Sequence, residues 1–210
     1  NVQINDMNAD SKKNYIIPNH FVSKYCFYYD DLGFLLGDGT VGICFDDRSR
    51  IVMDPNEEFI QYYKNYNSKE IVIKLDETLN EHQKNKLQSK ISLVQKFARR
   101  FKKFTCYYKL EDIDYDSRVP LYHVKYFVKK NDTILFKLND KNIQVNYNDY
   151  RKLIIFSNTK KLCLVTLLKE KCNLLDLKDV VSMNQCSEEF KKYKIAKEML
   201  SSLSQKLIEL

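Results

Sequence analysis

The chain has 210 residues, 44% of them hydrophobic and 13% aromatic, enough to fill the cores of one large or two small domains. Only four glycines and three prolines occur, so the composition excludes long flexible linkers and low-complexity tracts. The formal net charge of +7 favours anionic partners, without distinguishing nucleic acid, acidic membrane and phosphorylated protein.

Cysteine and histidine are too scattered to suggest a catalytic or metal centre. The six cysteines include no Cys-x-x-Cys pair and the three histidines lie far apart, so we expect no metal and no other cofactor. Cys44 and Cys163 fall in apolar segments and are expected to be reduced and buried, which favours the cytoplasm or nucleus. No apolar run is long enough to span a bilayer and no secretory signal pattern is found.

The first half of the chain predicts a strand-rich unit that ends in a helix. Residues 1–20 are polar and are interpreted as an N-terminal linker or cap segment. Alternating apolar residues and turn signals predict strands at 21–29, 33–36, 42–45, 50–53, 59–64 and 71–75. Apolar residues at steps of three and four then predict an amphipathic helix over 79–104.

The segment 36–53 recurs at 138–155 with a constant offset of 102 residues. The matched pairs are Asp38 and Asp140, Val41 and Ile143, Phe45 and Tyr147, Asp47 and Asp149, and Arg50 and Lys152. A period near half the chain length indicates two copies of one unit, because solenoid repeats have periods of about 20 to 50 residues.

The second half repeats the order of elements in the first. After a Tyr-rich, acidic linker at 105–119, strands are predicted at 122–129, 133–138, 143–147, 153–156, 162–167 and 173–177, and a helix begins after Ser187. The units are therefore 21–104 and 120–210. The predicted fold is α+β, with two units that each contain a six-stranded antiparallel sheet and a C-terminal helix, packed together as a sandwich.

These residues resemble the tandem polo boxes of polo-like Ser/Thr protein kinases. The first box is marked by Val-Ser-Lys-Tyr at 22–25, Leu-Gly-Phe at 32–34, and the Asp, Val, Phe, Asp and Arg spacing at 38–50. The second is marked by Ile-Gln-Val-Asn-Tyr at 143–147 and Asp-Tyr-Arg-Lys-Leu-Ile at 149–154. We identify no kinase glycine-rich loop, His-Arg-Asp or Asp-Phe-Gly motif, so this chain is expected to be non-catalytic.

The resemblance implies a phosphopeptide groove between the two boxes. In the family, the peptide lies as an added strand along the first strand of the first box, where this chain has Tyr25 at a Trp position and Phe27 two residues on. A His and a Lys of the second box hold the phosphate, and here the His position is Tyr150 and the Lys is Lys152. Arg151 lies between them, but strand alternation would direct it to the opposite face unless the turn redirects it.

Three function classes follow. The first is a docking domain that binds phosphoSer or phosphoThr motifs, localises a polo-like kinase in cell division and contacts its own kinase domain. For it we expect a monomer in the cytoplasm and nucleus, including centrosomes or spindle poles, with neither nucleic acid nor membrane as partner. The second is a phosphate-independent scaffold or dimerisation module, which Tyr150 in place of His favours. The third, an enzyme, lacks an assembled set of catalytic groups.

The basic run at 99–103 is interpreted as the solvated face of a helix.

Overall fold

The structure, a computed structural model, describes residues 20–75, 81–103, 115–166 and 169–208. The predicted N-terminal segment and most of the predicted linker at 105–119 lie outside these residues.

The first repeat forms a six-stranded antiparallel sheet in which the strands follow one another in chain order. Its strands are β1 (Val22–Tyr28), β2 (Asp31–Leu36), β3 (Val41–Cys44), β4 (Arg50–Met53), β5 (Phe59–Tyr63) and β6 (Ile71–Lys74), and the helix α1 (Glu81–Lys103) follows. All six predicted strands and the helix are present, with boundaries that differ by a few residues.

The second repeat has the same antiparallel order. It comprises β7 (Val124–Lys130), β8 (Thr133–Leu138), β9 (Ile143–Asn146), β10 (Lys152–Phe156), β11 (Lys161–Thr166), β12 (Lys169–Asp176), α2 (Leu177–Ser182) and α3 (Glu188–Ile208). The predicted α+β fold is confirmed. The sequence did not predict α2, because a six-residue helix is shorter than two turns and has no periodic apolar pattern to detect.

The elements form four layers, with helices outside and the two sheets face to face. The outer face of the first sheet packs on α1, and that of the second sheet packs on α2 and α3. Four pairs of residues separated by the 102-residue offset build the buried core between the sheets: Val22 and Val124, Leu32 and Ile134, Phe34 and Phe136, and Leu36 and Leu138. Each repeat therefore contributes the same inward-facing positions to a shared core.

The turn between β2 and β3 contains a glycine spacing that also occurs in nucleotide-binding loops. Gly37, Gly39 and Gly42 do have the Gly-x-Gly-x-x-Gly spacing. The segment is a hairpin turn into a strand, whereas a dinucleotide-binding loop of this spacing opens a helix. The kinase loop has a valine two residues after its last glycine, and this chain has Cys44 there. Gly39 adopts the positive φ of 95° that this tight turn requires, and Gly42 provides the space occupied by the Phe34 ring.

Two cysteine expectations have different outcomes. Cys44 is buried and free, as expected, and its burial raises the pKa of the thiol to about 12. Cys163 is buried but disulfide-bonded, which corrects the prediction that it is reduced. None of the described helices is long and apolar enough to cross a membrane.

We predict that Gly42→Ala destabilises the protein by about 1 to 3 kcal/mol, the usual range for overpacking a core. A Cβ at this position would lie 2.2 Å from the Phe34 ring in the core between the sheets. Urea unfolding of the two proteins measures the difference. The double variant with Phe34→Leu should recover part of the loss, and strictly additive effects would contradict this packing explanation.

Candidate functional site

The first strand of the first sheet has a free edge. Among the described strands β1 pairs only with β2, and a two-residue turn at Tyr29 and Asp30 joins the two strands. In such a hairpin the residues that flank the turn form a hydrogen-bonded pair, and bonded and non-bonded pairs then alternate. Tyr25 and Phe27 fall at the non-bonded positions, so their backbone N–H and C=O groups point away from β2 and are available to another strand.

A groove runs beside this edge. It encloses about 630 Å³ between β1, the last turn of α1 and the turn that joins β9 to β10. Its lining residues are Ser23, Lys24, Tyr25, Cys26, Arg100, Phe101, Asn146, Tyr147, Tyr150, Arg151 and Lys152. Four of these side chains are cationic and none is a carboxylate, so the groove is electropositive.

Lys152 lies where β1 crosses the second sheet. Its Nζ donates to the backbone oxygens of Ser23 at 3.2 Å and Val22 at 3.3 Å, and burial lowers its pKa. Gln144 occupies the backbone N–H and C=O of Val22 through its side-chain amide, at 2.7 and 2.8 Å. The edge of β1 is thus closed at Val22 and open beyond it, and the Lys152 ammonium group stands at that boundary.

Tyr150 and Arg151 occupy the turn before β10. Tyr150 has the left-handed φ of 63° and is 74% exposed. Arg151 precedes the first residue of β10, so strand alternation does not apply to it, and it lines the groove together with Lys152. The Arg151 guanidinium forms an ion pair with Glu188 at the start of α3, which partly neutralises its charge.

Tyr25 and Phe27 differ in their relation to the groove, although each is 36% exposed. Tyr25 lines it, packs edge-on against Phe136 with ring centroids 5.2 Å apart, and has its pKa raised by burial. Phe27 is not among the lining residues. Its ring packs on Phe127 at 5.9 Å, and Lys129 Nζ lies 5.3 Å from its centroid. Phe27 therefore continues the exposed β1 edge beyond the groove.

Sequence reasoning missed several lining residues, of which Arg100 is chemically the most important. The basic run at 99–103 was interpreted as a solvated face, and Arg100 is indeed exposed. It nevertheless borders the groove next to Phe101, whose ring belongs to the core beneath α1. The sequence did contain one indication of this role. Arg100 directly precedes the apolar residue Phe101 near the end of α1, where a long side chain can extend past the edge of the sheet.

The first repeat has an equivalent cation, but its surroundings are closed. Arg50 corresponds to Lys152 and donates to the Lys125 backbone oxygen at 3.1 Å, as Lys152 does to Ser23. Arg50 is only 2% exposed, and its guanidinium lies 5.1 Å from the ring centroid of Tyr63 and 5.5 Å from that of Tyr66. The loop between β5 and β6 supplies Tyr66 and covers the position that is open beside Lys152.

The turns next to both cations are held by matching ion pairs. Lys90 contacts Asp47 and Lys192 contacts Asp149, each at 2.5 Å, and the two ammonium groups lie 4.2 and 4.1 Å from the rings of Phe45 and Tyr147. These carboxylates therefore anchor the turns to the helices in both repeats. Among the described residues, no cluster of His, Cys, Asp and Glu could hold a metal ion.

Comparison with known proteins agrees with this architecture. The sequence profile described as "POLO box duplicated region" matches residues 31–91 and 130–194, one match in each repeat. The chain belongs to the polo-box family. It is also 27% identical over 146 residues to a maize (Zea mays) protein named "Probable serine/threonine-protein kinase CCRP1". The matched region covers 69% of this chain and 22% of the maize protein.

Solved polo-box structures from budding yeast have the same fold. The polo-box domain of Cdc5 matches with a TM-score of 0.66 at 18% identity, covering 95% of this chain and 83% of that one. The Cdc5 domain in complex with an Spc72 phosphopeptide matches with a TM-score of 0.67, covering 93% and 73% at the same identity. The Cdc5 domain in complex with the Dbf4 polo-interacting region matches with a TM-score of 0.65, also at 18% identity, and the match covers 92% of this chain and 77% of that one.

We predict that replacing the two equivalent cations has unequal effects on folding. Lys152→Met should change the free energy of unfolding by less than about 1 kcal/mol, because it removes a partly buried charge whose hydrogen bonds within the described residues are two long ones to backbone carbonyls. Arg50→Met should destabilise by about 2 kcal/mol or more, since it removes two hydrogen bonds and contacts with two aromatic rings.

Urea denaturation of both variants measures this difference. Equal losses would contradict the conclusion that only the Arg50 position is built mainly for stability.

Proposed function

We propose that this chain is a docking domain that binds phosphoSer or phosphoThr peptides in the groove beside β1. The observation that carries the proposal concerns the described part of the chain, where a strand edge without a paired strand lies beside four lining cations and no lining carboxylate. The open backbone groups of Tyr25 and Phe27 would pair with a peptide strand, and the cations would hold its phosphate. The complex of the yeast Cdc5 domain with a phosphopeptide supports the same use of the fold.

Lys152 is the best candidate for direct phosphate contact. A phosphate carries about −1.5 to −2 charges at neutral pH and accepts hydrogen bonds through three oxygens. The Lys152 ammonium group has three donors and contacts no carboxylate among the described residues, so a phosphate would meet an uncompensated charge. Tyr150 would add one neutral hydroxyl, and Arg151 would add charge to the extent that Glu188 releases it.

We further propose that the domain is the C-terminal regulatory region of a Ser/Thr protein kinase. The similarity to a maize kinase supports this, although this chain spans only about a fifth of that protein's length. Docking on phosphorylated proteins would localise the kinase during cell division, in the cytoplasm and nucleus and at centrosomes or spindle poles. The same region would contact its own kinase domain, and two boxes in one chain would let it act as a monomer.

A second candidate function is a phosphate-independent polo-box scaffold. Two features favour it: Tyr150 is a neutral side chain that is largely exposed, and the charge of Arg151 is paired with Glu188. In that case the free β1 edge and its exposed aromatic residues would bind an extended segment without a phosphate.

We expect a fluorescein-labelled Ser-phosphoThr peptide to bind this domain and its unphosphorylated twin to bind much more weakly. Lys152→Met should weaken phosphopeptide binding about tenfold to a hundredfold, the usual effect of losing one charged hydrogen bond. Fluorescence anisotropy measures both. The matched control is Lys178→Met, an exposed position on α2 outside the groove. Equal binding of the two peptides, or no binding, would reject the docking function in favour of the scaffold.

Phosphopeptide affinity should fall at both acidic and alkaline pH. Below about pH 6 the phosphate gains a proton and loses charge. At high pH Lys152 becomes neutral, and because burial lowers its pKa this loss begins below the ordinary value of 10.5. Lys152→Arg should retain the acidic decrease and remove most of the alkaline one, since arginine stays charged. An alkaline decrease of the same size in this variant would exclude Lys152 as its source.

A further inference from the structure

Arg100 places a positive charge on the wall of the groove opposite the Lys152 turn. It lies in the last turn of α1, lines the groove with an exposed side chain, and forms no ion pair with a described carboxylate. It is close enough to the Cys26 thiol for its charge to oppose the effect of burial, which raises the pKa of Cys26. Arg100 and Cys26 also line the same groove, and the Phe97 ring, about one turn earlier in α1, lies against Gly33, the β2 partner of Cys26. These contacts place Arg100 along β1 near Cys26.

The two cations lie at different points along β1. Lys152 contacts the backbone oxygen of Ser23, whereas Arg100 is near Cys26, three residues further on. At about 3.3 Å per residue, this separation is about 10 Å along the strand. This separation places Lys152 and Arg100 beside different parts of a strand added to β1.

The two cations also approach β1 from different faces of its sheet. The Tyr25 ring touches Phe136 of the second sheet, whereas Cys26 packs against the core beneath α1. Lys152 belongs to the second sheet and Arg100 to α1. In a strand added to β1, side chains alternate between the same two faces, so residues separated by three positions lie on opposite faces.

We propose that Arg100 binds a second negative charge of the docked peptide, three residues from the phosphoresidue. The ligand class is thus a phosphopeptide with an Asp, a Glu or a second phosphoresidue at that spacing. A spacing of three residues between the two charges of the peptide matches the separation of Lys152 and Arg100 along β1, and it places the two side chains on opposite faces of the added strand. A spacing of two residues would place both side chains on the face of Lys152. This proposal rests on the docking function proposed above and adds a sequence preference to it.

The test compares singly phosphorylated peptides by anisotropy. The reference peptide has uncharged flanks, and three others carry one Glu, placed three residues before, three residues after or two residues before the phosphoresidue. We expect one of the two peptides with three-residue spacing to bind about two- to fivefold more tightly than the reference, as for a partly exposed ion pair. The peptide with two-residue spacing should show no such gain.

Two variants of α1 assign the effect. Arg100→Gln should abolish the gain while the reference peptide still binds. Arg99→Gln, a change of the adjacent exposed arginine that does not line the groove, should retain the gain. Thermal unfolding checks that both variants fold as the wild type does, which is expected for exposed positions near a helix end.

The failures of the two proposals are distinguishable. Suppose that the reference peptide binds only when it is phosphorylated. If Glu at three-residue spacing then gives no gain in affinity, or if the gain persists in Arg100→Gln, the proposed role of Arg100 is overturned and the docking function stands. If the unphosphorylated reference binds equally well, both are overturned.

Discussion

The structure depends on how the edge strand of each repeat crosses the opposite sheet. Lys152 of β10 holds β1 through the Ser23 carbonyl, and Arg50 of β4 holds β7 through the Lys125 carbonyl. These contacts join equivalent positions of the two repeats and fix the edge strands over a shared apolar core. Because each sheet has one face on a helix and one on its partner sheet, neither repeat could bury its apolar residues alone.

One loop makes this symmetric arrangement structurally asymmetric. In the first repeat seven residues, 64–70, separate β5 from β6, and they bring Tyr66 onto Arg50 and onto the ring of Tyr126. In the second repeat β11 ends at Thr166 and β12 begins at Lys169, so the corresponding connection is shorter. The guanidinium of Arg50 is consequently surrounded by aromatic rings, whereas Lys152 borders an open groove. The cation at this position of the repeat therefore stabilises the fold in the case of Arg50 and is a candidate ligand contact in the case of Lys152.

The fold could be predicted because its determinants are periodic and repeated. Alternation along β3 and β4, turn residues such as Asp38 and Gly39, and the 102-residue offset each specify local structure and agree with one another. The short helix α2 and the disulfide of Cys163 lack such a signal, because the first has no measurable period and the second depends on a partner brought near by folding.

The groove could be predicted only where its residues lie on one strand or one turn. Tyr25, Tyr150, Arg151 and Lys152 were anticipated from their motifs, and all line the cavity. Arg100 was missed because its proximity to β1 depends on how α1 packs over the sheet, which the helical pattern alone does not reveal. Phe27, by contrast, was expected at the site and packs on Phe127 outside the cavity, since the crossing of the two sheets decides where the groove ends.

The distribution of charge in the groove links ligand binding to stability. Four cations border about 630 Å³, and one of them, Arg151, forms ion pairs with Glu188 and Asp149. Like charges at this spacing repel one another when the groove holds no anion. A bound anion would reduce that repulsion and add attraction, and it would stabilise the folded chain by an amount that grows with the logarithm of its concentration relative to Kd. The same repulsion between like charges would therefore favour an anionic ligand and lower the stability of the unliganded domain.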